Sequence, residues 1–153
     1  MSEWALTPPV LVGSGGLCSI SPAVDMRCRV MTPSVLLIEN NAAVADAMGL
    51  VLRSAGYDTV ICFLGRDGLR LIAERQFQLI LTDLLLPDVS CFEILNACRS
   101  THESTQVIIT MANATRQIQA EMLENGAFAM LAKPFTPSEL IKLVETALER
   151  SRP

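Results

Sequence analysis

Aromatic side chains are scarce in this chain: five Phe, one Tyr and one Trp among 153 residues. A core drawn from such a set has to be aliphatic, and half of the composition is apolar. That balance suits a sheet covered by helices on both faces. Histidine is scarcer still. His102 is the only one, and its neighbours Ser100, Thr101, Glu103 and Ser104 predict a solvated loop. Five cysteines (Cys18, Cys28, Cys62, Cys91, Cys98) include no Cys-x-x-Cys pair. A zinc framework is excluded, and the odd count predicts free thiols in a reducing, cytoplasmic setting. Positive charge is also in deficit, with a formal net charge of −4. Residues 1–32 balance Glu3 and Asp25 against Arg27 and Arg29, so the whole excess belongs to the remainder. A surface of that sign is poorly suited to neutralising phosphates, and no direct nucleic-acid partner is expected.

Residues 1–32 also lack pattern. They carry Pro8-Pro9, Gly13-Ser14-Gly15-Gly16 and Pro22 without a sustained helical or strand period. Glu3 is the first charge and Arg27 the first base, so no basic start marks a signal peptide. Val10-Leu11-Val12 is too short to cross a membrane, and no membrane association is expected. Leu17-Cys18 lacks the small residue that precedes a lipidated cysteine. The glycine cluster lacks the strand and helix of a dinucleotide loop. The expectation is a disordered extension over 1–32, or an artefact of start-site choice, since Met26 and Met31 both precede the patterned region.

From Ser34 the chain alternates strand and helix signals. Val35-Leu36-Leu37-Ile38 predicts a buried strand ending at Glu39. Val44, Met48, Val51, Leu52 and Ala55 recur at helical spacing up to Gly56. A β-rich segment over 57–62 precedes a helix from Gly65 with Leu69, Ile72 and Ala73 facing inward. Leu79-Ile80-Leu81 forms the third strand and stops on Thr82-Asp83, with a turn at Pro87-Asp88. Phe92, Ile94, Leu95 and Cys98 mark the third helix, and Val107–Thr110 the fourth strand. Ile118, Met122 and Leu123 mark a helix closed by Gly126, followed by a strand over 128–131. Thr136-Pro137-Ser138-Glu139 has the pattern of a capping box that opens the last helix. Leu140, Val144, Ala147 and Leu148 form its apolar stripe. Five strand–helix pairs imply an α/β fold with a five-stranded parallel sheet and helices on both faces. Ligands in such sheets bind where strands end: here at Glu39-Asn40, Asp83, Met111-Ala112 and Lys133-Pro134.

Asp83-Leu84-Leu85-Leu86-Pro87 and Lys133-Pro134-Phe135, together with Gly56-Tyr57 and Gly126-Ala127, resemble the receiver domain of bacterial two-component response regulators. The resemblance runs over residues 33–150. It implies a flavodoxin-like sheet of order 2-1-3-4-5 and a role in phosphorelay signal transduction rather than enzymatic turnover. By the same resemblance Asp83 is the phosphoacceptor and Lys133 the lysine that contacts the phosphoryl group. Mg²⁺ is then held by Glu39, Asn40, Asp83 and the backbone carbonyl of Leu85. Lys133-Pro134 is expected to be cis. Implied partners are a histidine kinase or phosphotransfer protein, docking at the first helix, and a downstream protein target. The readout surface is expected on helix four, strand five and helix five, near Ile118, Met122 and Lys142. No output domain is expected after the last helix.

Four positions depart from the family pattern. Asn40 stands where a second acidic residue is usual, so the Mg²⁺ site is expected to be weakened. Met111 occupies the place of the hydroxyl that holds a phosphoryl oxygen, and Met130 that of the aromatic that moves with it. Thr110 is one residue away and is expected to point elsewhere by strand alternation. Cys91 replaces a glycine. These departures define the alternative reading, a phosphorylation-independent pseudo-receiver that only binds partners. A phosphohydrolase using Asp83 would need an acid–base residue two positions later, where Leu85 stands. A flavin site would need a phosphate cradle after Ile38, which is missing.

Overall fold

The computed structural model describes residues 31–152. The extension expected over 1–32, with Cys18 and Cys28, lies almost wholly outside them. Among the described residues five strands alternate with five helices. In chain order these are β1 (Ser34–Ile38), α1 (Ala42–Ser54), β2 (Asp58–Cys62), α2 (Gly65–Glu74) and β3 (Leu79–Asp83). They continue as α3 (Cys91–Thr101), β4 (Gln106–Met111), α4 (Arg116–Glu124), β5 (Ala129–Ala132) and α5 (Pro137–Arg150). All strand pairs are parallel, in the order β2-β1-β3-β4-β5. The expected order 2-1-3-4-5 is the one found.

The continuous apolar runs are explained by that order. β1 and β3 are central and covered on both faces, so alternation would leave polar groups in the core. Leu36, Ile38, Ile80, Val107 and Ile109 pack beneath α2, α3 and α4. Val35, Leu37, Leu79, Leu81 and Ile108 pack beneath α1 and α5. Each fully buried Leu or Ile contributes about 1.5–3 kcal/mol by leaving water, so these ten positions hold the sheet in register. Among the described residues no helix is long and apolar enough to cross a membrane.

The helix caps are local. Thr136 and Glu139 form the expected capping box, and Ser90 with Glu93 forms a second one. Asn41 caps α1 by accepting from Val44 N. Gly56 and Gly126 close α1 and α4 with φ of +94° and +106°, where any side chain would be strained.

Several burial expectations need correction. Ala73 and Ala55 are exposed. In α2 Ile72 is buried and Leu69 packs against the core as expected, but the rest of the inward stripe is Gly65 and Gly68, because a Cβ on Gly68 would stand 2.4 Å from Ile38 Cδ1. A search for apolar side chains overlooks a helix that packs through glycine. Ile118 and Leu123 are largely exposed, and α4 buries only Met122 among its residues. Phe92 is exposed as well, and β5 begins at Ala129, one residue later than expected. His102 lies outside α3, at its C-cap, as a loop residue, but it is half-buried rather than solvated, and its Nε2 lies 3.0 Å from the Ile72 carbonyl oxygen.

Candidate phosphoryl-acceptor site

β1, β3 and β5 end at the same edge of the sheet and bring Glu39, Asp83 and Lys133 together. Glu39 immediately follows a strand buried on both faces, and its side chain is only 1 % exposed. A buried carboxylate has to be paired. Its Oε1 accepts from Asn41 N at 3.0 Å, and its Oε2 accepts from Lys133 Nζ at 2.7 Å. The same Nζ lies 3.6 Å from Asp83 Oδ1, a Coulombic contact too long for a hydrogen bond. The lysine is therefore primarily the partner of Glu39. That pairing was not anticipated; the extra methylene of glutamate over aspartate was the one signal for it.

Lys133 is anchored by its backbone, with its N–H donating to the Met111 carbonyl at 2.7 Å. The Lys133–Pro134 bond is cis, as expected. Asp83 sits at the end of β3 with its side chain 14 % exposed. Burial pushes its carboxyl above the ordinary value, Lys133 opposes that, Glu39 adds to it, and the amides of Leu85 and Leu84 pull it down. A partly desolvated carboxylate facing an ammonium keeps its negative charge available without a water shell to strip away.

Asn40 is exposed, and among the described residues no cluster of three or more His, Cys, Asp or Glu could hold a metal. Of the oxygens expected to hold Mg²⁺, the Glu39 and Asp83 carboxylates meet around Lys133, and carboxylate oxygens are chemically suited to that cation. Both Glu39 oxygens already have partners, however, so a cation there competes with Lys133.

Met111 is buried and Met130 half-buried against the α2–α4 side of the core. Neither offers a donor. Thr110 requires a different explanation from the one expected. It is the register partner of Asp83, so alternation does not separate the two. Its buried hydroxyl instead donates to the Thr82 carbonyl at 3.4 Å, which spends it inside the sheet.

Cys91 opens α3, buried and close enough to Asp83 to feel its charge; burial first, then that charge, pushes its thiol up to about 12. Such a thiol stays protonated and behaves as a small apolar residue. Asp88 has a role the sequence reading did not assign. Its Oδ1 and Oδ2 accept from Gly65 N and Arg66 N, both at 2.9 Å. Beside this loop an open groove of about 490 Å³ is lined by Leu85, Phe92, Ile118 and Met122, among others. Asp83, Lys133 and Glu39 do not line it, so the groove and the charged cluster are separate features.

Comparison with known proteins supplies relatives of the same architecture. Residues 35–145 match the family described as the response regulator receiver domain. The cell cycle response regulator CtrA of Brucella ovis is 33 % identical over 118 residues, 77 % of this chain and 51 % of that protein. The chain thus spans about half the length of the curated relatives it matches. A CheY-like receiver domain protein from Methanospirillum hungatei JF-1 superposes with a TM-score of 0.74 at 26 % identity, covering 78 % of this chain and 96 % of that one. The receiver domain of the Francisella response regulator 1452 gives 0.73 at 28 %, covering 79 % and 100 %.

Proposed function

The chain belongs to the response regulator receiver domain family, and from that premise we propose that it accepts a phosphoryl group on Asp83. Receiver domains are signalling modules of phosphorelays, so the activity sought is a transient covalent mark rather than turnover of a substrate. The observation that carries the proposal is Lys133 Nζ, 3.6 Å from Asp83 Oδ1 and 2.7 Å from Glu39 Oε2 at the ends of parallel strands.

An Asp83 oxygen attacks the phosphorus of a phosphohistidine on a kinase or phosphotransfer protein. The P–O bond forms as the P–N bond breaks, and the electron pair leaves with the imidazole. Lys133, on a flexible stem, moves from Glu39 towards a phosphoryl oxygen and compensates the added charge. The acyl phosphate is labile to water, so the mark decays. Mg²⁺ would be held by Asp83, Glu39, Asn40 and the Leu85 carbonyl, and when bound it would neutralise phosphoryl charge. Asn40 contributes only a neutral oxygen and Glu39 must be shared with Lys133, so the affinity is low. A downstream protein would read the mark at the α4–β5–α5 face, where Ile118 and Lys142 are exposed. The phosphodonor would dock at α1.

The test is incubation with acetyl phosphate and MgCl₂ followed by intact-mass measurement of wild type and Asp83→Asn. One added phosphoryl group, lost in the variant, is expected. A wild-type mass that never changes, even with a phosphorylated histidine donor, would replace this reading with phosphorylation-independent partner binding.

A further inference from the structure

Helix α2 begins without a cap of its own. Leu64 occupies the N-cap position and makes no side-chain hydrogen bond there. The exposed amides of a first turn need an acceptor, and Asp88 supplies it from 23 residues further along the chain. One carboxylate bridges two consecutive amides, Gly65 N and Arg66 N, at 2.9 Å each. Charge-assisted bonds of this kind at the positive end of a helix are among the stronger ones on a protein surface.

The contact is also steric. A Cβ on Gly65 would stand 2.0 Å from Val89 Cγ2 and 3.1 Å from Leu86 Cδ1. The β3–α3 loop therefore lies directly on the first turn of α2, an approach that glycine permits. Residues 84–90 contain no glycine, so the loop has no freely hinged position. Its far end is fixed by the Ser90–Glu93 capping box. Its near end follows directly on Asp83, where the Leu84 amide donates to the Thr110 carbonyl at 2.8 Å.

We propose that Asp88 is a positioning residue for the phosphoacceptor: by bridging the Gly65 and Arg66 amides it fixes on α2 the loop that begins at Asp83, and so the set of the loop's first residues, Leu84 and Leu85. The same bridge ties α2 to the state of the site, so a charge change at Asp83 reaches the start of α2 through the loop. This rests on Asp83 being the phosphoacceptor. An ordinary capping role for Asp88 would stabilise α2 and leave the Leu84 and Leu85 amides where they are.

The experiment compares Asp88→Ala, Asp88→Asn and Gly65→Ala in the full chain, with Thr115→Ala as a cap loss at α4, where Thr115 accepts from Ile118 N. Amide chemical shifts of Leu84, Leu85, Gly65 and Arg66 are followed by NMR, and phosphoryl uptake from acetyl phosphate by intact mass. Each cap loss is expected to lower Tm by a few degrees, on the order of 4 °C. Asp88→Ala and Gly65→Ala should also move the Leu84 and Leu85 amides and slow uptake about tenfold, the scale of a small misplacement at a reacting centre. Asp88→Asn, which keeps one acceptor oxygen, should fall between Ala and wild type, and Thr115→Ala should leave amides and rate at wild-type values. Unmoved Leu84 and Leu85 amides in Asp88→Ala, or an equal slowing in Thr115→Ala, would overturn the inference. If wild type takes no phosphoryl group, the proposed function fails, while the amide shifts still decide the latch.

Discussion

The strand ends carry opposite materials in two places. Along β1 and β3 they are charged: Glu39 is buried and bonded, Asp83 is partly desolvated, and Lys133 spans them at 2.7 and 3.6 Å. At the end of β4 and within β5, before Lys133, they are thioethers, Met111 buried and Met130 half-buried, with Thr110 turned onto a carbonyl. The charged side has what nucleophilic attack on phosphorus needs. The thioether side has nothing to grip a phosphoryl oxygen and shift with it. On the function proposed above, accepting the mark and reporting it are separate capacities, and the residues present suit the first more completely than the second.

Perturbing the charged side should have the largest effect. Lys133→Met leaves Glu39 buried without its cation and should cost about 3 kcal/mol in denaturant unfolding, the scale for a broken buried pair. Adding Glu39→Gln should recover much of that loss. A cost well under 1 kcal/mol would mean the pair is solvent-screened and the two sides are less different than described. Next in size, Asn40→Asp should tighten Mg²⁺ binding on the order of tenfold by adding a charged ligand, measured by calorimetry. Unchanged affinity would place the weakness in the Glu39–Lys133 pairing instead.

On the thioether side, Met111→Thr should lengthen the life of the acyl phosphate a few-fold, the worth of about one hydrogen bond near 1 kcal/mol. It should also cost some stability through the smaller side chain. The smallest effect is in pH dependence. Burial raises the Asp83 carboxyl above its ordinary value, so the folded state holds that proton more tightly than the unfolded chain. The contribution is fully present below the ordinary carboxylate pKa and is lost as pH rises through the raised value. Asp83→Asn cannot ionise, so its stability advantage over wild type should widen across that window and then level off.

Much of this was legible beforehand because the signals are local. Val35–Ile38 and Leu79–Leu81 read as buried parallel strands because nothing in them is polar. Thr136 and Glu139 announced a helix start by spacing, and the order of strand ends placed Asp83 opposite Lys133. What was hidden depends on groups far apart in sequence. Glu39 and Lys133 are 94 residues apart, and only the folded sheet shows the lysine closer to glutamate than to aspartate. Asp88 read as a turn residue; that it caps a helix 22 and 23 residues earlier is a fact of tertiary packing. Gly68 left no apolar signal, and its absent side chain is what lets α2 settle on Ile38.

The contrast between the two sides is tested most directly by NMR of the Lys133 ammonium and the Met111 and Met130 methyl groups before and after phosphorylation. A large change at Lys133 Nζ, as it leaves Glu39 for a phosphoryl oxygen, with only small changes at both methyl groups, is the predicted result. Methyl groups that move while Lys133 stays on Glu39 would contradict it.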